Sequence, residues 1–60
     1  MSLTKGQNVV ITHNSIFECM GFKKVTGEVI HVREGGFSFK CKETGSIETC
    51  DLDDGDIQIV

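Results

Sequence analysis

The sequence predicts an all-β domain built as a meander of short strands. Between Phe37 and Lys42 every second residue is apolar, which is the period of a strand with one buried face. Glu34-Gly35-Gly36 and Thr44-Gly45 separate such runs, and glycine supplies the positive φ that tight hairpin turns need. Proline is absent, so no strand is disfavoured on that ground.

Five strands are predicted, at residues 8–13, 24–33, 37–42, 46–52 and 56–60. In the second, Ile30 and Val32 are expected to share a face, and Gly27 to mark a bulge or a sharp bend. The core side chains expected in the later strands are Phe37, Phe39, Cys41, Cys50, Leu52, Ile57 and Ile59. A long, bent second strand is how small five-stranded barrels pass from one sheet to the other.

The sequence makes specific predictions for two of the segments that connect strands. Residues 14–22 form a long first loop with one turn of helix, capped by Asn14 or Ser15 and ended by Gly21. Residues 52–56 form a short 3₁₀ turn before the last strand.

The length of 60 residues favours a binding module over an enzyme. One domain, residues 1–60, is the expected organisation, and a core of this size supplies roughly 3 to 5 kcal/mol. Such a core leaves little room for a deep substrate pocket. No apolar run approaches the ~18 residues of a membrane helix, and residues 1–5 lack the apolar segment of a secretory signal. A cytoplasmic protein without membrane contact is therefore predicted.

The three cysteines are an odd number, which favours reduced thiols. A hairpin with Gly45-Ser46 as its two-residue turn would place Cys41 opposite Cys50. A disulfide between them therefore remains an alternative to two buried thiols.

Charge is distributed unevenly along the chain, whose net charge is −3. Up to Arg33 there are four basic and two acidic residues; after it there are two basic and seven acidic residues. The acidic end is expected to attract basic partners and repel polyphosphate.

Neither a metal site nor a catalytic site is predicted. Asp51, Asp53, Asp54 and Asp56 could bind calcium, but the loop lacks the final glutamate and flanking helices of an EF-hand, and aspartate with glycine is typical of a tight turn. The histidines and cysteines show no Cys-x-x-Cys or His-x-x-x-His pair. A Cys19 nucleophile activated by a histidine would need three unrelated coincidences. We therefore expect no enzyme and no cofactor.

The whole pattern resembles the SH3-like small barrels, including the KOW and Tudor types. Lys5-Gly6-Gln7-Asn8-Val9-Val10-Ile11 is similar to the opening strand of KOW domains. Lys24-Val25-Thr26-Gly27-Glu28-Val29-Ile30-His31-Val32 is similar to their glycine-centred second strand. The resemblance implies a five-stranded SH3-like barrel and, for the KOW type, nucleic-acid binding. The chain departs from that type by about ten additional loop residues and by lacking a basic excess. It also lacks the Trp and Tyr of a Tudor aromatic cage.

Two functions from different classes follow from these observations. The first is a small regulator or adaptor that binds a larger protein through an apolar loop and an acidic end, with contact residues Phe17, Met20, Phe22, Asp51, Asp53, Asp54 and Asp56. Alternatively, the loop closes one end of the fold as a lid. The second function is nucleic-acid binding through Lys5, Lys23, Lys24, Arg33, Lys40 and Lys42, with Phe17 or Phe22 stacking on a base. Self-association through exposed strand edges is a further alternative.

Overall fold

The structure, a computed structural model, describes residues 3–60 and is all-β apart from one short helix. Its elements in chain order are β1 (Asn8–Thr12), α1 (Ser15–Cys19), β2 (Lys24–Arg33), β3 (Gly36–Cys41), β4 (Ile47–Asp51) and β5 (Asp56–Ile59). The strands form one antiparallel sheet in the order β4-β3-β2-β1-β5. Within residues 3–60 the edge strands β4 and β5 do not pair, so the sheet is not closed into a barrel.

A single core lies on the inner face of this sheet. Phe37 and Phe39 are fully buried, as predicted, and their rings lie 5.7 Å apart. The other buried apolar residues are Val9, Ile11, Phe17, Val25, Val29, Cys41 and Cys50. Leu3, Phe22 and Ile57 are partly buried and pack against this cluster. The alternation of buried and exposed residues in β3 is the reason why the sequence located this part of the core correctly.

Strand β2 alternates in its first half, not in its second half as predicted. Val25, Gly27 and Val29 are buried, and the register with β3 then shifts between Val29 and His31. Ile30 is the extra residue of this β-bulge, so the predicted bulge at Gly27 is wrong by three positions. After the bulge Val32 pairs with the buried Phe37 but remains 39% exposed.

Gly27 has a different role, which is to allow two strands to approach closely. A Cβ at this position would lie 2.2 Å from the carbonyl oxygen of Lys40 and 2.7 Å from the ring of Phe39. Contacts this short cannot be accommodated without moving the backbone of β3 or the central ring of the core. Glycine is therefore required here by packing within the sheet.

The hairpin between β3 and β4 has a different register from the predicted one. Lys40 pairs with Ile47 and Phe37 with Cys50, while the amide of Cys41 donates to the carbonyl of Ser46 at 2.9 Å. Cys41 and Cys50 are therefore not opposite each other, and both are buried free thiols.

The end of β4 also differs from the prediction. Strand β4 ends at Asp51, and Leu52, expected in the core, is 42% exposed. Residues 52–55 form a turn and a bend instead of the predicted 3₁₀ turn, with the amide of Asp54 donating to the carbonyl of Asp51 at 3.3 Å. The amide of Leu52 still donates to the carbonyl of Gly35 at 3.0 Å, one step beyond the last strand pair, but the turn that begins at this residue leaves its side chain outside the core. In β5, Ile57 is partly buried and Ile59 is 37% exposed.

Residues 3–60 contain no helix that is long and apolar enough to cross a membrane.

Candidate interaction surface

The predicted helical turn is α1, and Asn14 is its N-cap. The Oδ1 atom of Asn14 accepts hydrogen bonds from the amides of Ile16 at 3.0 Å and Phe17 at 3.1 Å. These amides belong to the first turn, where helical partners are absent. The Asn14 side chain is only 2% exposed, so its amide group also needs partners inside the protein.

Gly21 terminates the helix, as predicted, and follows the C-cap residue Met20. Gly21 has φ +96, its amide donates to Glu18, and the amide of Phe22 donates to the carbonyl of Phe17 at 2.9 Å. This pair of bonds is a Schellman motif, in which the left-handed residue is usually glycine. The motif turns the chain so that Phe22 packs back against the core.

Phe17 belongs to the core and is not available to a partner. It is 2% exposed, and its ring meets that of Phe39 edge-on, at 5.8 Å and 71°. The prediction of Phe17 as a contact residue is therefore wrong, and so is its role in base stacking. The loop covers the core, as the lid alternative expected, because Phe17 is the apolar residue of α1 that faces the sheet. Met20, on the solvent side, is 49% exposed.

A hydrogen-bonded junction joins α1 to the turn between β4 and β5. The Nδ2 atom of Asn14 donates to the carbonyl of Asp54 at 3.0 Å, and it lies 3.5 Å from the Sγ atom of Cys50. Both carboxylate oxygens of Asp54 accept bonds from Ser15, one from its amide at 3.1 Å and one from its hydroxyl at 2.9 Å. Two segments that are 39 residues apart in the chain are thereby held together.

The neighbouring residue His13 adds a second contact to this junction. Its Nδ1 atom lies 2.9 Å from the Oδ2 atom of Asp56, and both side chains are largely exposed. His13 has φ +58, which is uncommon for a residue with a side chain. This conformation turns the chain from β1 into the cap of α1.

The junction divides the four aspartates into two pairs. The carboxylate of Asp54 accepts hydrogen bonds from Ser15, and that of Asp56 contacts His13, so these two side chains stabilise the fold. Asp51 and Asp53 are exposed and have no side-chain hydrogen bond among those in residues 3–60. The acidic residues were predicted as one contact set, and only part of that set is free to meet a partner.

Exposed apolar side chains lie on both segments that the junction joins. Ile16 and Met20 lie one helical turn apart on the solvent side of α1 and are 56% and 49% exposed. Leu52, beside Asp51 and Asp53, is 42% exposed. We call these five residues the junction surface. Leu52 was expected in the core, and Ile16 was not among the predicted contact residues. The observed cap and strand end show that both side chains face outward.

The predicted basic residues do not form one cluster. Lys24 and Lys40 lie on the outer face of the sheet, where Lys24 pairs with Thr12 and Lys40 with Glu28. Lys42 follows β3 beside Thr26. Lys5 lies in the turn before β1, Lys23 precedes β2, and Arg33 ends β2 at the opposite hairpin. Three of the six lysines and arginines therefore share one region.

Two titratable groups in the described part of the chain have shifted pKa values with clear structural causes. Burial, reinforced by the charges of Asp54 and Asp51, raises the pKa of the Cys50 thiol to about 11. Glu43 lies at the end of the ladder between β2 and β3 and accepts bonds from the amide of Thr26 at 2.7 Å and from its hydroxyl. Partial burial opposes ionisation, but these hydrogen bonds outweigh it and lower the pKa of Glu43.

No group of three or more histidine, cysteine, aspartate or glutamate side chains within residues 3–60 is arranged to hold a metal ion.

Comparison with protein-family models, with curated proteins and with solved structures gives no match for this chain.

Proposed function

We propose that this protein is a small, non-catalytic interaction module that binds a larger protein through the junction surface. The observation that carries the proposal is that Ile16 and Met20 are exposed on one segment, and Leu52, Asp51 and Asp53 on another, and that the Asn14 and Asp54 bonds fix these two segments to each other. Apolar residues bordered by charge are typical of binding surfaces. The partner that fits is a basic protein segment with an apolar anchor.

Rigidity supports this proposal. A surface formed by a loop alone would lose conformational entropy on binding. Here the cap, the Schellman motif and the buried Phe17 hold α1 in place before any partner arrives. We also propose that the sheet is an open form of the SH3-like small barrel, since its second strand is long and is bent by a bulge.

Site-specific photo-crosslinking tests the proposed surface. A photoreactive amino acid at Met20 should crosslink a basic protein in an extract of the native source, and added salt should reduce the yield. The matched control carries the same group at Lys40, on the outer face of the sheet, and should not capture that protein. Substituting Leu52→Lys in the Met20 probe should abolish capture. Equal capture from Met20 and Lys40 would contradict the proposal.

Nucleic-acid binding is the second candidate, and one observation favours it. Lys40 and Lys42, with Asn8 and Glu28, line a shallow depression of about 470 Å³ on the outer face. Glu28 and the net charge of −3 oppose a phosphate chain there. Binding of mixed oligonucleotides that weakens steeply with salt would support this candidate. A double Lys40→Glu and Lys42→Glu variant should then lose that binding.

A further inference from the structure

Some backbone groups of β5, in a regular arrangement, are not paired with a strand of residues 3–60. The amide of Val60 donates to the carbonyl of Asn8 at 2.9 Å, and Gln58 pairs with Val10. In an antiparallel ladder, residues whose backbone groups face the neighbour alternate with residues whose groups face away. Ile57 and Ile59 therefore direct their amides and carbonyls away from β1, to an edge that no strand of residues 3–60 covers.

The β5 edge also lacks the usual protection against pairing. Natural edge strands are commonly blocked by lysine, proline or a bulge. Strand β5 begins with the charged Asp56, but residues 57–60 read Ile-Gln-Ile-Val, with no charge and no proline, and Ile59 and Val60 are 37% and 80% exposed. The opposite edge differs, because β4 carries Glu48 and Asp51, which would repel the same acids of another copy.

We propose that two copies of this chain dimerise by antiparallel pairing of their β5 edges about a two-fold axis at Gln58. In this register Ile57 of each copy lies opposite Ile59 of the other. Their outward amides and carbonyls form four hydrogen bonds, whereas an axis at Ile57 or Ile59 would form fewer. The sheet then continues through both copies. The inference is independent of the proposed function, since the junction surface contains no residue of β5.

Side chains and charges are compatible with this register. Ile57 lies beside Ile11, and Ile59 beside Val9, so the pairing joins the inner apolar rows of the two copies. It covers the exposed part of Ile59. Each Asp56 lies opposite Val60 of the other copy, and the two Asp56 side chains lie four residues apart along the strands. This is about 13 Å at ~3.3 Å per residue, beyond the Debye length of about 8 Å at physiological salt.

Disulfide trapping tests the register directly. With Cys19→Ser as background, Gln58→Cys places two thiols opposite each other at the axis, and a mild oxidant should crosslink the dimer. The matched control is Val10→Cys, on the same outer face but one strand away. Two Val10 positions would be three strand spacings apart, about 14 Å, which a disulfide cannot bridge. Absence of a Gln58→Cys crosslink, or equal crosslinking of both variants, would overturn the register.

Sedimentation velocity tests the edge itself. The mass of the unmodified protein should rise with concentration from 6.6 kDa towards twice that value. Ile59→Pro removes an outward amide without removing a ladder bond to β1, and should weaken dimerisation roughly tenfold or more. Thr49→Pro, at an outward position of β4, should leave it unchanged. Circular dichroism checks folding, and Ile59→Lys replaces Ile59→Pro if the latter unfolds. A monomer at all concentrations, or dissociation by Thr49→Pro alone, would refute the proposal.

Discussion

Substituting Asn14→Ala should destabilise the protein by more than the loss of a helix cap alone. The change removes the cap of α1, which typically costs about 1 kcal/mol. It also leaves the partly buried carbonyl of Asp54 without its donor, which should cost about 1 to 2 kcal/mol, the lower part of the range for unsatisfied buried groups. The expected loss is therefore about 2 to 3 kcal/mol. Domains of this length have unfolding free energies of roughly 3 to 9 kcal/mol, so the loss is a large share of the total.

Urea denaturation followed by circular dichroism measures this loss, and two variants separate its parts. Asn14→Ser keeps a capping oxygen but removes the amide donor, so it should cost about half as much as Asn14→Ala. Ser15→Ala removes only an exposed bond to Asp54 and should cost less than about 1 kcal/mol. In thermal unfolding, a loss of ~2 kcal/mol corresponds to roughly 8 to 16 °C.

The reasoning would be refuted if Asn14→Ala changed the unfolding free energy by less than about 0.5 kcal/mol. It would also be refuted if Ser15→Ala were as costly, since the buried amide of Asn14 would then have no special importance.

Four further predictions concern the core, a close-packed glycine and the thiols. Phe17→Asp should unfold the protein, as seen in the circular-dichroism spectrum; a folded variant would contradict the core position of this ring. Gly27→Ala should lower the free energy of unfolding, measured by urea denaturation, by more than about 2 kcal/mol, because the added Cβ has no space. The control Gly45→Ala has open space around its Cβ but φ +75, and it should lower the free energy of unfolding by only about 1 kcal/mol. Cys19, the exposed thiol, should react with a thiol reagent in the native state before the two buried thiols. Because the pKa of Cys50 is raised from 9.0 to about 11, the thiol form is favoured in the folded state, and the free energy of unfolding should fall as the pH rises from 9 towards 11. Cys50→Ala should remove this part of the decline. If the variant had the same pH profile as the unmodified protein, the prediction would be contradicted.

The elements that the sequence predicted correctly are those whose signals are local. The cap at Asn14, the helix end at Gly21 and the alternation of β3 each depend on neighbouring residues, so their prediction needed no tertiary information. The limits of β2 are also as predicted.

The predictions that failed depend on which strand lies opposite. The bulge at Ile30 and the offset between Cys41 and Cys50 are properties of strand pairs. Gly27 resembles a bulge glycine in sequence, but the ring that excludes a side chain there belongs to β3. Register is set by cross-strand packing, which one strand alone does not encode.

The candidate surface was predicted in outline but not in detail. The sequence indicated residues 14–22 and the acidic turn separately, and the structure joins them through Asn14 and Asp54. Which apolar residue of α1 faces inward could not be read from a helix of five residues, because Ile16 and Phe17 are adjacent and equally apolar. Phe17 is the residue that faces inward because its ring packs edge-on against the ring of Phe39.

The extra residue in β2 has a consequence for insertions and deletions. In a regular strand, removing one residue turns all later side chains to the opposite face. At Ile30 the reverse holds: without it, Val29 faces inward, His31 outward and Val32 inward, in unbroken alternation with β3. A chain lacking Ile30 should therefore keep every remaining residue of β2 on its present side, with a straighter strand. Loss of Val29 instead would expose part of the core.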